Sequence, residues 1–235
     1  MVSVSTPVRS SDRRRRAPRG SGDQLREEIL DATTELVLKT GHAKAVSIRA
    51  VAERVRVTPP SIYLHFTDKD ALLDAVCARY FEKLDEEMQR AAVQETTALG
   101  TMRALGQAYV RFALQTPELY RIATMGEGRP DSDVDMTLNS SAFKHMCAGV
   151  EAMMDEGIFT RDDPTRVALE LWTAAHGVAA MLIAKPYLPW GDVEEFTDRV
   201  LGAVCCGQIV GGIIGYDTCP QETVDTLLKL KGTQR

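Results

Sequence analysis

Residues 47–70, SIRAVAERVRVTPPSIYLHFTDKD, gather the side chains best suited to chemistry in this 235-residue chain. Ser47, Arg49, Thr58, Ser61, Tyr63, His65 and Lys69 offer hydroxyl, guanidinium, imidazole and ammonium groups within one short stretch. Groups of this kind hydrogen-bond to phosphate oxygens and base edges. Covalent or metal-assisted chemistry has no comparable signal. There is no paired-carboxylate motif, Gly-rich phosphate loop, nucleophile elbow or HExxH pair, and the histidines are His42, His65, His145 and His176. Glu151 and Glu156 fall on one helix without a catalytic partner and read as solvent-facing charge. Neither catalysis nor a cofactor or metal is expected.

The elements that position these groups follow from periodicity. Ile48, Val51, Ala52 and Val55 recur at the spacing of an amphipathic helix, and Ala52 is small where a crossing helix must touch. Val57 plugs the corner that follows. Thr58-Pro59 starts a second helix, with a hydroxyl to accept backbone N–H groups and a proline where no N–H is missed. Ile62 and Phe66 point inward, which leaves Pro59, Ser61, Tyr63, Leu64 and His65 outside. A short helix showing such groups is a poor solvent face and a good surface for DNA. The pattern is a helix-turn-helix.

This segment resembles the TetR family of one-component bacterial transcription regulators. The resemblance includes the upstream helix 25–41, with Leu25, Ile29, Thr33, Leu36 and Val37 along one stripe and Gly41 at its end. It also includes the strings Ile62-Tyr63-Leu64-His65-Phe66 and Lys69-Asp70-Ala71-Leu72-Leu73, and it is specific over about residues 22–90. Further on, Leu171-Trp172-Thr173-Ala174-Ala175-His176-Gly177 resembles a Trp-His-Gly motif of one group of the family's C-terminal domains. Carried onto matching positions, the resemblance implies that Ser47, Tyr63, His65 and Lys69 grip phosphates. Arg49 matches a position that reads a base in some members. Thr58, Pro59, Ser61 and Leu64 suit thymine methyls and single hydrogen bonds, so the rest of the specificity would come from DNA shape. Arg56 departs from the family's usual glycine. Either the turn differs here, or a basic side chain beside the DNA offsets the strain.

Charge distribution agrees with a DNA partner even though the whole chain carries −5. Residues 1–66 hold 12 Lys/Arg against 7 Asp/Glu, and the remaining 169 residues carry −10. A basic head ahead of an acidic body is what a groove-binding module needs. Residues 1–21, with Arg13 to Arg16 and Arg19, read as a disordered basic arm that can settle on phosphates. Five cysteines without a CxxC pair point to a reducing cytosol. The N-terminus shows no apolar signal segment, and residues 200–215 are too short and too interrupted to span a bilayer. A soluble, cytoplasmic protein is the expectation.

The fold expected is all-α, about ten helices, with a three-helix head and a larger bundle behind it. The divisions are a basic arm over 1–21, a helix-turn-helix domain over 22–67, a connecting helix over 68–92 capped by Asp68, and an effector-binding and dimerisation domain over 93–235. Residues 126–135 read as a loop, followed by helices over 136–156, 163–185 and 192–215 and a short tail over 220–230.

Two features of the bundle bear on function. On helix 192–215, Val200, Ala203, Gly207, Gly211 and Ile214 suit close helix approach, and Val167, Leu171, Ala174, Val178 and Leu182 of helix 163–185 can join them. Intrachain packing explains the same residues. The resemblance favours a homodimer through helices 163–185 and 192–215. Tyr109, Phe112, Met125, Phe143, Met146, Cys147, Trp172 and His176 can converge into an aromatic, deformable cavity for a largely apolar effector. A lone histidine on an apolar helix is also an ordinary core residue. The resemblance further implies that effector binding tilts the connecting helix and changes the spacing of the two heads. The expected function is a ligand-responsive regulator of transcription, a repressor binding a palindromic double-stranded DNA operator. The alternative is a ligand-independent DNA-binding or architectural protein.

Overall fold

The computed structural model describes residues 22–125 and 141–232, and among them holds ten α-helices, one 3₁₀ turn and no strand. The Arg-rich arm at 1–21, the loop expected over 126–135 and the helix start expected over 136–140 lie outside the described residues.

The head consists of α1 (Gly22–Thr40), a 3₁₀ turn (Ala43–Ala45), α2 (Ile48–Val55) and α3 (Pro59–Tyr63). Its core joins Ile29, Leu30 and Val37 of α1 to Val51 and Ala52 of α2, Ile62 of α3 and Phe66. Ala52 is 1% exposed at the crossing, where its small side chain admits the neighbouring helices. Gly41, at φ +72, ends α1 in the left-handed conformation expected of it. The 3₁₀ turn had no clear periodic signal, since a three-residue element is too short to show one.

The body contains α4 (Lys69–Ala92), α5 (Ala98–Gln115), α6 (Pro117–Met125), α7 (Ala142–Asp155), α8 (Pro164–Ala184), α9 (Val193–Ile214) and α10 (Pro220–Gly232). Polar caps fix where the helices begin. The side chains of Asp68, Thr97, Asp163 and Asp192 each accept a backbone N–H from the first turn of α4, α5, α8 and α9. Each such cap contributes about 0.5–2 kcal/mol.

Helix α4 belongs to both cores. Leu72, Ala75 and Val76 pack in the head, and Tyr80, Phe81, Leu84 and Met88 pack in the body. Arg79 ties it to α1 through Asp31 at 2.6 Å and Glu27 at 3.6 Å. A second bridge is α6, whose Leu119 and Ile122 pack against both clusters.

Helices α8 and α9 are long and apolar enough to cross a membrane by length and composition. They differ in burial: α8 sends Val167, Ala168, Ala175, Val178, Ala179 and Leu182 into the body core, whereas only Thr197 of α9 is buried. This corrects the expected pairing face. Val167, Val178 and Leu182 are 3%, 6% and 5% exposed within their own chain, so intrachain packing claims them. The open stripe of α8 is Leu169, Thr173, Gly177 and Met181 instead. On α9, Gly207 has open space, while the Tyr216 ring lies over Gly211 and would meet an added Cβ at 2.5 Å.

Candidate functional site

The outward face of the head is assembled from α2, the turn and α3. The Ser47 hydroxyl accepts the Ala50 N–H at 3.1 Å and so starts α2. Arg49, two residues along, is largely in solvent and pairs with Glu53 at 3.1 Å. A solvent-exposed pair of this type is worth at most about 1 kcal/mol, so it does not hold the guanidinium back from a better partner. Arg54 is paired with Glu35 of α1.

The turn resolves the question raised by Arg56. Its N–H donates to the carbonyls of Ala52 and Glu53, and the Val57 N–H reaches back to Ala52 O at 2.9 Å. That is the hydrogen-bond pattern of a glycine-type helix end. Arg56 occupies it at φ 59 and ψ 41, the one non-glycine positive φ among the described residues. The usual turn is therefore kept, with an arginine accepting a conformation that costs on the order of 1 kcal/mol.

Pro59 and Pro60 fill the first turn of α3, where missing N–H groups cost nothing. The Thr58 side chain does not cap the helix as expected. Its hydroxyl lies 3.0 Å from the Ser61 hydroxyl, and the Ser61 N–H is taken by Thr58 O at 2.8 Å. With prolines at the first two positions, few backbone donors remain for it to cap. Ile62 and Phe66 are buried as expected. Tyr63 is 52% exposed and Leu64 84%, an isobutyl group left in water on the outward side. His65 is half-buried beside them. Lys69, at the start of α4, brings its ammonium to Lys44 O at 3.4 Å, next to the helix N-terminus capped by Asp68. Thr58, Pro59, Ser61, Tyr63, Leu64 and His65 lie on or beside α3, Ser47 and Arg49 at the start of α2, and Lys69 at the start of α4. They present hydroxyl, ring and cationic groups, a face able to grip phosphates and touch base edges.

The expected effector residues divide. Around His176, the Tyr120 hydroxyl lies 2.8 Å and the Tyr109 hydroxyl 3.4 Å from Nδ1, and the Trp172 ring is 5.4 Å from the imidazole. Burial lowers the His176 pKa from its ordinary value, and burial pushes the Tyr109 phenol well up. A neutral imidazole accepting at Nδ1 fits both. Tyr120 was not anticipated: it stands alone on a nine-residue helix, with no pattern pointing it at His176. Phe112 packs on Tyr80 at 5.0 Å instead, Phe143 and Met146 lie in the core, and Cys147 is half-buried. Met125, at the end of α6, is 47% exposed. Open space lies elsewhere, in a cavity of about 270 Å³ between α5, α8 and α9, which shares only Met146 with that set.

Residues 29–76 match the family model of bacterial regulatory proteins, tetR family, and residues 102–204 match that of the tetracyclin repressor-like C-terminal domain. The HTH-type transcriptional regulator YobS of Bacillus subtilis is 32% identical over 167 residues, 71% of this chain and 83% of that protein. The chain belongs to the TetR family. The HTH-type transcriptional repressor KstR of Mycobacterium tuberculosis is 31% identical over 139 residues, 57% of this chain. The match spans 63% of that repressor's length, and 56% of its Mycolicibacterium smegmatis counterpart. A solved structure from Rhodococcus sp. RHA1, of a protein with unknown function, superposes with a TM-score of 0.69 at 26% identity. It covers 79% of this chain and 95% of its own. Members of the TetR family are DNA-binding transcription factors rather than enzymes, and the all-helical architecture of this TetR-family chain agrees with its structural relatives.

Proposed function

We propose that this TetR-family chain is a repressor of transcription that binds a palindromic operator as a homodimer and is released by a small, largely apolar effector. The outward face of α3 carries this reading. Its Tyr63 and Leu64 side chains stand in water near Ser61 in the sequence, and Ser47 and Lys69 begin the helices on either side of it in the chain. Solvent gives no reason for such a face, and a major groove does: the hydroxyls and ammonium meet phosphates, and Leu64 covers a thymine methyl. No Arg, Asn or Gln is available on α3 itself, so Arg49 of α2 is the candidate base reader.

The dimer is supported by α9, a 22-residue apolar helix with one buried residue, and by the Leu169–Met181 stripe of α8, which is likewise open. Two copies of this pair bury both faces in a self-complementary interface. Repression is the activity in KstR's name, and it fits a chain whose described residues show only a head and a helical body. Effector response is supported by the route between the cores, in which α6 joins the His176 cluster to the head through Leu119 and Ile122.

The test compares Arg49→Ala with the unaltered chain on a selected operator and on random duplex. A base-reading Arg49 loses about 1–3 kcal/mol on the operator and little on random DNA. Equal loss on both makes it a phosphate anchor.

A further inference from the structure

The cavity between α5, α8 and α9 is held open by small residues on all three walls. Gly106 stands on α5, Ala174 and Ala175 on α8, and Gly202 on α9. A Cβ on Gly106 would strike the Leu201 methyl at 2.7 Å, whereas one on Gly202 would meet nothing within 4 Å. Gly106 therefore lets α5 and α9 approach, and Gly202 leaves room beside that contact. Met102, Met146 and Cys205 add polarisable surface that deforms at little cost.

Polar groups sit at one edge and satisfy one another. The Arg103 guanidinium clasps both oxygens of Asp198, and the Gln107 amide donates to the same carboxylate at 3.3 Å. Apart from cysteines, Arg103 and Asp198 are the only ionisable side chains on the lining, and they neutralise each other. A charged ligand would find no counter-ion there without breaking that clasp.

An apolar cavity of about 150 Å³ stays dry and takes benzene. At about 270 Å³, this space suits a molecule close to twice that size. We propose that it is a binding site for a compact, uncharged, apolar molecule of about two aromatic rings or an equivalent carbon skeleton. The proposal deepens the effector reading given above and rests on it for its consequence. One wall is α5, which lies along α4, so filling the space presses on the helix shared by head and body.

The full chain is titrated with 1-naphthylamine, a two-ring amine that is uncharged near neutral pH and whose fluorescence shifts in apolar surroundings, and with 1-naphthylamine-5-sulfonate, the same ring system bearing a sulfonate. The unaltered chain binds the first, and the second about tenfold more weakly or worse. Met102→Trp fills the space from α5 and weakens the uncharged probe about tenfold, with helical circular dichroism retained. Gly202→Leu fills it from α9 and does the same, which keeps the test valid where the tryptophan prevents folding. Tyr187→Ala, in water between α8 and α9, leaves probe affinity unchanged. Binding that survives both filling variants, or is lost in Tyr187→Ala, overturns the site. Equal binding of both probes overturns the uncharged class. DNA affinity of the probe-free samples is measured alongside, so failure of the regulator reading registers separately from failure of the cavity.

Discussion

Arg56 places a cost and a use at one residue. A positive-φ arginine is a strained choice where glycine adopts the same turn freely. Its neighbours Arg49 and Arg54 are engaged with Glu53 and Glu35, while Arg56 is exposed one residue after α2, on the way into α3. Arg56→Gly is expected to stabilise the fold by about 1 kcal/mol in urea unfolding. The same change weakens operator binding and lowers the salt slope of log K by about one, the signature of one lost phosphate contact. Unchanged affinity with raised stability would leave the arginine without a role at the DNA. Tyr80 is a second costly residue. Its hydroxyl is buried without a hydrogen-bond partner among the described residues, and burial pushes its pKa upward. Tyr80→Phe is expected to raise stability by about 1 kcal/mol, read as a shift of the unfolding midpoint. Much at this scale was legible in the sequence, because Ile62 and Phe66 claim the inward side of α3 and leave Tyr63 and Leu64 no other place. The Thr58–Ser61 hydroxyl contact was not legible, since it depends on how two prolines displace the donors a threonine would cap.

At the scale of elements, helix spans followed from periodicity and punctuation: Asp68, Asp163-Pro164 and Gly41 mark ends in the sequence and in the structure alike. The faces of α8 were harder to read. Its apolar residues surround the helix, so periodicity alone could not say that Val167, Val178 and Leu182 turn into their own chain while Leu169 and Met181 turn out. The Tyr120–His176 link between α6 and α8 has the same origin, because a contact 56 residues apart leaves no local trace. That link carries a pH dependence. His176 titrates below its ordinary value of 6.5 in the folded chain, so the unfolded chain binds the proton first as pH falls. Its contribution is full above that value and is lost as pH drops through it toward the folded value. Thermal melts between about pH 7 and pH 5 should therefore slope less in His176→Gln than in the unaltered chain. Parallel slopes would place the acid sensitivity on other groups.

At the scale of the whole molecule, reading a palindrome requires two heads at fixed separation. In the proposed dimer the open faces of α8 and α9 set it, and α10, with no buried residue of its own, continues from α9. Gly177→Arg puts a charge into the open stripe of α8, away from the head and from the His176 contacts. It is expected to shift the chain from dimer to monomer in sedimentation equilibrium and to weaken operator binding at least tenfold, about 1.4 kcal/mol or more. A variant that stays dimeric with full affinity would move the interface elsewhere. The most direct test of the central claim is selection of genomic fragments on the full-length chain without added small molecule. The expected result is enrichment of fragments that share a palindrome with half-sites about one helical turn apart, lost when Tyr63 and Leu64 are replaced by alanine. Retention of every fragment no better than bulk competitor DNA, by a folded dimeric sample, would contradict it.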